Sequence, residues 1–335
     1  MLVRLVAAAS TCLIASATLA AQQEHPTRSP ISIGNYPNVS GLRINFRDHE
    51  LQRVAGVNIT VWSPYEPASG VVKGVAIGLP LTGAQDVVGI GAGLLGVGAG
   101  RDVRGVMFGP IGVGAGRNLK GIGFGGIGAG AGGNIDGIFL GGIGAGAGGN
   151  GRGILLGGIG AGMGGNFNGA AVGGIGVGAG GNFSGFAVGG IGVGAGGNLK
   201  GIGVGGIGVG AGGNVTGFMA GGIGVGAGGT LRGAALGAVA VGAPRIEGGF
   251  AALTVGARHA HALVLAPAYF KIEKEGSFTG VSVSSVNYVR GSVNGLTLGL
   301  VNYARNLRGM QVGLINVIAD QKEHPVLPLI NWGAR

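Results

Sequence analysis

From Asp102 to Thr230 the chain repeats itself every 16 residues without a slip. Asp102, Asn118, Asn134, Asn150, Asn166, Asn182, Asn198, Asn214 and Thr230 open successive copies of one unit. A typical copy reads Asn198-Leu-Lys-Gly-Ile-Gly-Val-Gly-Gly-Ile-Gly-Val-Gly-Ala-Gly-Gly213. A unit this short cannot bury a core alone, so copies must stack on one another and share one. Numbering the slots from the Asn gives a frame in which Asn198 is slot 1 and Gly213 is slot 16.

The chain holds 84 glycines in 335 residues, a bias that elsewhere accompanies linkers and disorder. Here Ile, Val and Ala return at fixed slots and only 10% of residues are charged, so apolar surface is available for burial. A collagen reading fails because Gly recurs mostly at every second residue rather than every third. A membrane helix fails too, because each Gly costs about 1 kcal/mol relative to Ala in a helix.

Slots 5 and 7 are apolar (Ile202, Val204), and so are slots 10, 12 and 14 (Ile191, Val193, Ala195). Two-residue alternation is the mark of a strand. The phase shifts at slots 8 and 9, usually Gly-Gly, which predicts a corner there and an inward aim for both apolar groups. A second corner is expected at Gly196-Gly197-Asn198, where Gly and Asn tolerate positive φ and stacked Asn side chains can hydrogen-bond along the ladder. The fold expected is all-β: a parallel β-solenoid of about seventeen 14–18-residue coils, two short strands per coil, on the order of 80 Å long at a coil rise of ~4.8 Å. Slot-4 glycines extend the frame to Gly41, Gly56, Gly74, Gly89, Gly105 and Gly233, loosely to Gly249, and then to Gly280, Gly295 and Gly309. The same period also suits an antiparallel β-meander or an outer-membrane β-barrel, although a barrel needs aromatic girdles and aromatics are 5% here.

The organisation that follows is a signal peptide at 1–21, a linker at 22–37 and the Gly-rich array at 38–257. An interruption or insert at 258–276, C-terminal repeats at 277–318 and a tail at 319–335 complete it. The signal reading rests on Arg4, the apolar stretch Leu5 to Leu19 and the small residues around Ala20 and Ala21. Cys12, the sole cysteine, lies inside that segment, and cysteine-free export suits a bacterial envelope or surface protein.

The stretch Gly295-Leu-Thr-Leu-Gly-Leu-Val-Asn-Tyr-Ala-Arg-Asn-Leu-Arg-Gly309 resembles a family of bacterial surface-repeat proteins whose repeats read Gly-Leu-Gln-Leu-Gly-Leu-Val-Asn-Tyr-Ala. The ending Pro325-Val-Leu-Pro-Leu-Ile-Asn-Trp332 is similar to theirs. The likeness is specific over 277–332 and looser over 86–245, where Gly or Ala replaces their Gln and Asn. It implies export and a surface, outer-membrane or periplasmic location, and brings no catalytic residues. The Gly-Ile-Gly-Val-Gly-Ala-Gly lines are similar in composition to the β-roll heads of trimeric adhesins.

Little in the array can do chemistry. Gly192-Val-Gly194-Ala-Gly-Gly197 spells a dinucleotide fingerprint, but that motif needs a helix after it, and here it simply recurs with the repeat. Gly189-Gly-Ile-Gly-Val-Gly-Ala195 resembles a calcium roll without its aspartate. Asp136 is the sole carboxylate between Val103 and Arg245, so no paired-carboxylate site can form there. His259 and His261 would share one side of a strand, but two ligands make a poor metal site. Asn38, Asn58, Asn182 and Asn214 begin sequons that double as repeat slots. No catalytic residue, metal or cofactor is expected.

The formal charge of +10 gathers in two slots. Slot 3 carries Lys73, Arg104, Lys120, Arg152, Lys200, Arg232 and Arg308, and slot 16 adds Arg101, Arg117 and Arg245. Arg101, Arg104, Arg117, Lys120, Arg152, Lys200 and Arg232 form a candidate polyanion-binding corner, suited to envelope polyanions or glycans. Nucleic acid is not the expected partner, because stacking aromatics are lacking. Slots 11 and 13 should face outward as a flat Gly strip prone to self-association. The function expected is an exported, non-enzymatic structural or adhesive rod with peripheral or surface association with the outer membrane, with an outer-membrane barrel or pore as the alternative.

Overall fold

The computed structural model describes residues 27–333 apart from Ser29 and Tyr65. The signal segment lies outside the described residues. The described chain is all-β and forms one parallel β-solenoid of about seventeen turns. Each array coil contributes a strand over slots 2–8, such as Leu199–Gly205, and a shorter one over slots 11–14, such as Gly208–Ala211. Each strand pairs with its equivalent one coil away: Gly185 with Gly201, Ile202 with Phe218, Val193 with Val209. This 16-residue parallel register rules out both the antiparallel meander and the membrane barrel, whose neighbouring strands run in opposite directions.

The corners join the ladder as well. Ile207 donates its backbone N–H to Ile191 at 2.7 Å, and Gly197 to Gly181 at 2.9 Å. The backbone groups of even the bends thus find partners along the rod axis, which is what lets so glycine-rich a chain stay folded.

Slot 4 is the third bend. Its glycines have φ between 113° (Gly153) and 146° (Gly295), a region that residues with a Cβ rarely enter. A Cβ on Gly201 would fall on the carbonyl oxygen of Gly185 in the preceding coil, far inside van der Waals contact. The frame itself shifts near its end. Gly248, not Gly249, has the positive φ and pairs with Gly233. Arg245 accordingly opens a coil, paired with Thr230, instead of closing one.

The segment 258–276 is not an interruption. His259, His261 and Ala262 pair in register with Arg245, Glu247 and Gly248, and Gly280 stacks on Ala262 in turn. Ala262 takes the slot-4 place without the positive φ of the glycines, so this coil carries no marker glycine. The ends also carry structure where a linker and a tail were expected. Ile31–Ile33 pairs in parallel with Leu42 to Ile44. Val326–Gly333 folds back antiparallel on Val301–Ile318 and covers the last coil's edge.

The largest departure concerns which residues face in. Even slots point inward along the slot 2–8 strand, so slot 2 (Leu119, Ile135, Phe183, Leu199) and slot 6 (Phe139, Leu155, Met219) fill the core with slots 12 and 14. Slots 5, 7 and 10 point outward, against the inward aim expected of their apolar letters. Slot 2 is large on nearly every coil, and slot 6 makes room by mixing large residues with Ala and, at Gly123 and Gly203, glycine. A Cβ on Gly123 would come 2.7 Å from the Phe139 ring, and one on Gly203 would come 2.8 Å from Met219 Sδ. Met163 in slot 14 likewise occupies the space beside Gly151, the lone slot-2 glycine of the perfect copies.

Two glycines seven residues apart should therefore answer differently to the same change. Gly201→Ala meets backbone at a positive φ and should destabilise the protein by more than ~2 kcal/mol. Gly194→Ala, whose Cβ would have nothing within 4 Å, should be neutral or stabilise by about 0.5 kcal/mol. Urea denaturation of the two variants makes the comparison.

Candidate functional site

Three long surfaces run the length of the rod, one for each group of outward slots. The first is the charged corner at slots 16, 1 and 3. Its spine is a ladder of slot-1 side chains: Asn182 Oδ1 accepts the backbone N–H of Asn198 at 2.8 Å and its side-chain amide at 2.9 Å. The pattern continues through Asn214, which accepts from Thr230 N–H at 2.8 Å. The expected asparagine stacking is thus present. It also explains the slot-16 glycines, because a Cβ on Gly197 would lie 2.6 Å from Asn182 Oδ1.

At the start of the ladder Asp86 and Asp102 take the place of Asn, and slot-16 arginines answer them. Arg101 meets Asp86 at 2.8 Å, and Arg117 meets Asp102 through Nε at 3.0 Å and Nη2 at 2.5 Å. The Arg117 hydrogen bond, supported by Asn118, holds the Asp102 carboxyl at about 2, below its ordinary 3.8, and outweighs the opposing effect of burial. The same pairing raises Arg117.

Slot 3 is an outward column, with Arg104, Lys120, Asp136 and Arg152 on four consecutive coils. Carboxylates share it. Lys120 lies 3.7 Å from Asp136, and Arg232 lies 2.6 Å from Glu247. Of the seven candidate corner residues, Arg101, Arg117, Lys120 and Arg232 therefore have acidic partners. Arg104, Arg152 and Lys200 have no acidic partner among the described residues. Composition counted these cations correctly but could not see that four of them are answered locally.

The second surface is the Gly strip of slots 11 and 13, which does face outward. It holds two shallow depressions, one floored by Gly178, Gly194 and Gly210 and the other by Gly114, Gly130 and Gly146 beside Ile111.

The third surface was not foreseen. Slots 5, 7 and 10 expose Ile154, Leu156, Ile159, Phe186, Ile191 and Ile202, each between 37% and 49% accessible. Phe108 and Phe124 stack on this face with ring centroids 5.4 Å apart. From the coil of Gly56 to that of Gly309, slots 5 to 10 hold no charged residue at all. Apolar patches above a few hundred Å² are unusual on a free soluble protein. The signal in the sequence was this absence of charge, which burial and outward exposure against a partner would both produce.

His261 pairs in register with Glu247 on the neighbouring coil. His259 Nδ1 lies 3.0 Å from Ser277 Oγ, and no group of three His, Cys, Asp or Glu gathers among the described residues. Both ends of the rod enclose polar clusters. Arg43 is fully buried, ion-paired with Asp48 and bonded to Asn58 (2.8 Å) and Asn35 (2.6 Å). Asn58, the start of one sequon, is thus inside the first coils. Near the C-terminus Asn287, Asn302 and Asn316 form a second, internal ladder with amide bonds of 2.7 Å. Comparison with family models, curated proteins and solved structures finds no match to the chain.

Because Asp102 is held below its ordinary value, its ionised form favours the folded state. That contribution is complete above about pH 3.8 and disappears as pH falls through about 2. Asp102→Asn keeps a ladder residue but loses the Arg117 pair. It should be less stable than wild type at neutral pH, with the gap closing between pH 4 and 2. Thermal unfolding of both proteins across that range measures the gap. Asn182→Ala should cost about 1 kcal/mol by removing the acceptor of two ladder bonds.

Proposed function

We propose that the chain works as an exported, non-enzymatic structural or adhesive rod of a bacterial envelope or surface. The observation that carries the reading is the uncharged, outward apolar lattice of slots 5, 7 and 10, repeated coil after coil beside a charged edge. A surface of this kind acts by multiplicity: many identical weak contacts at fixed spacing add up to strong attachment without any single site. The likeness of residues 277–332 to bacterial surface-repeat proteins and the signal-like first 21 residues support the exported location. Arg104, Arg152 and Lys200 are the residues through which the corner would meet an envelope polyanion or glycan, since nearby carboxylates answer the others.

Removing whole units tests the idea. Deleting residues 150–181 removes two copies and leaves every slot in register. The variant should stay folded, shorten by about 10 Å in small-angle scattering, and bind isolated cell envelopes more weakly in proportion to lost length. A cytosolic location on cell fractionation, or envelope binding indifferent to length, would count against the reading.

A further inference from the structure

We infer that the apolar face formed by slots 5, 7 and 10 is the seat of a second copy of this chain. The inference rests on the rod reading above and names the partner of its apolar lattice. In slot 5 the outward side chains run Ile154, Ala170, Phe186, Ile202, Phe218 and Ala234 on consecutive coils, the four large ones exposed and the two alanines half-buried. Slot 7 runs beside them with Leu156, Val172, Val188, Val204, Ala220 and Leu236. These rows sit on a strand whose backbone is tied to both neighbouring coils, so their spacing cannot adjust to a partner. The partner must bring the same spacing.

Another solenoid of this chain does so. Its side chains recur at the same coil rise, ~4.8 Å, and each row on one rod can settle between rows on the other along the whole length. A partner with a different axial spacing would drift out of step within a few coils. The available area is sufficient. A face about 80 Å long and about 13 Å wide, four residues at ~3.3 Å, offers about 1,000 Å², above the ~800 Å² per partner of a stable interface. No charge from slots 5 to 10 has to be buried between Val57 and Ile315.

Charge decides against an anionic lipid surface as the occupant. A rod lying on such a membrane needs a dense row of free cations beside its apolar face. Here Arg101, Arg117, Lys120 and Arg232 are answered by carboxylates on the same corner. The rest, Lys73, Arg104, Arg152, Lys200, Arg245 and Arg308, stand two to four coils apart, about 10 to 19 Å. That edge is suited to staying in water while the apolar face is covered.

The test is the mass of the full chain in solution. Wild type should scatter light as a multiple of one chain, 32.3 kDa for all residues. Ile154→Glu combined with Ile202→Glu should reduce that mass at least twofold, to a single chain, with an unchanged far-ultraviolet spectrum because both positions already face water. If this pair disturbs folding, Ile154→Ser with Ile202→Ser makes the same test more gently. Arg152→Glu with Lys200→Glu, on the charged edge, should leave the mass unchanged. The inference fails if wild type is a single chain at tens of micromolar, or if its multiple mass survives both apolar pairs. It also fails if single chains pellet with phosphatidylglycerol vesicles through Ile154 and Ile202, which would make lipid the occupant. A single chain that is still elongated in small-angle scattering overturns this inference alone and leaves the rod reading standing.

Discussion

Coil-to-coil contact at the slot-4 bend is the constraint on which the rest of this structure depends. Each glycine there turns the chain at a positive φ, and the carbonyl of the coil before fills the place a Cβ would take. Coils can therefore approach to backbone contact, and every residue of one coil lies against its equivalent in the next. Once that register holds at slot 4, it holds everywhere. Identical residues then form columns, and each column acts as a single physical object.

The columns differ in what stacking does for them. Asparagine in slot 1 gains, because each amide both donates and accepts along the axis, and the corner becomes a continuous hydrogen-bonded edge. Arginine or lysine in slot 3 would lose by like-charge repulsion, and the chain breaks that column with Asp136, Asn168, Ser184, Thr216 and Glu247. Large apolar residues in slot 6 would overfill a narrow interior, so Phe139 follows Gly123 and Met219 follows Gly203. Slot 2 keeps a buried Val, Leu, Ile or Phe on nearly every turn, and the outward slots 5, 7 and 10 carry a second bulky set that holds most of the isoleucines of the array.

The ends obey a different economy. A solenoid has no next coil at its termini, and polar groups there cannot rely on the ladder. The N-terminal coils enclose Arg43 with Asp48, Asn58 and Asn35, leaving a buried charge fully partnered. The C-terminal coils thread Asn287, Asn302 and Asn316 through the interior, and the reversed strand Val326–Gly333 covers the last edge. Covering an edge in this way limits unwanted strand addition at that end.

The sequence by itself determined the β-repeat, the coil length, two of the corners and the asparagine ladder. Each follows from local chemistry that repeats: paired glycines where the chain must turn, asparagine where amides can bond along an axis, a fixed period throughout. The parallel direction of the stacking and the positive φ, which falls at slot 4 and not at Gly196-Gly197-Asn198, belong to the tertiary structure. The coil at 258–276 escaped because Ala262 stands where the marker glycine was expected, and backbone pairing needs no particular side chain. Only the tertiary structure decided which apolar residues are inside. Alternation reports that two sets of residues face opposite ways, but it does not say which way is in. That depends on the cross-section of the coil, where opposite walls leave space for Leu199 and Val209 but not for Ile202 and Val204 as well. The tertiary structure likewise decided which cations on the corner are free, since Arg117 and Asp102 become neighbours only through the turn of one full coil.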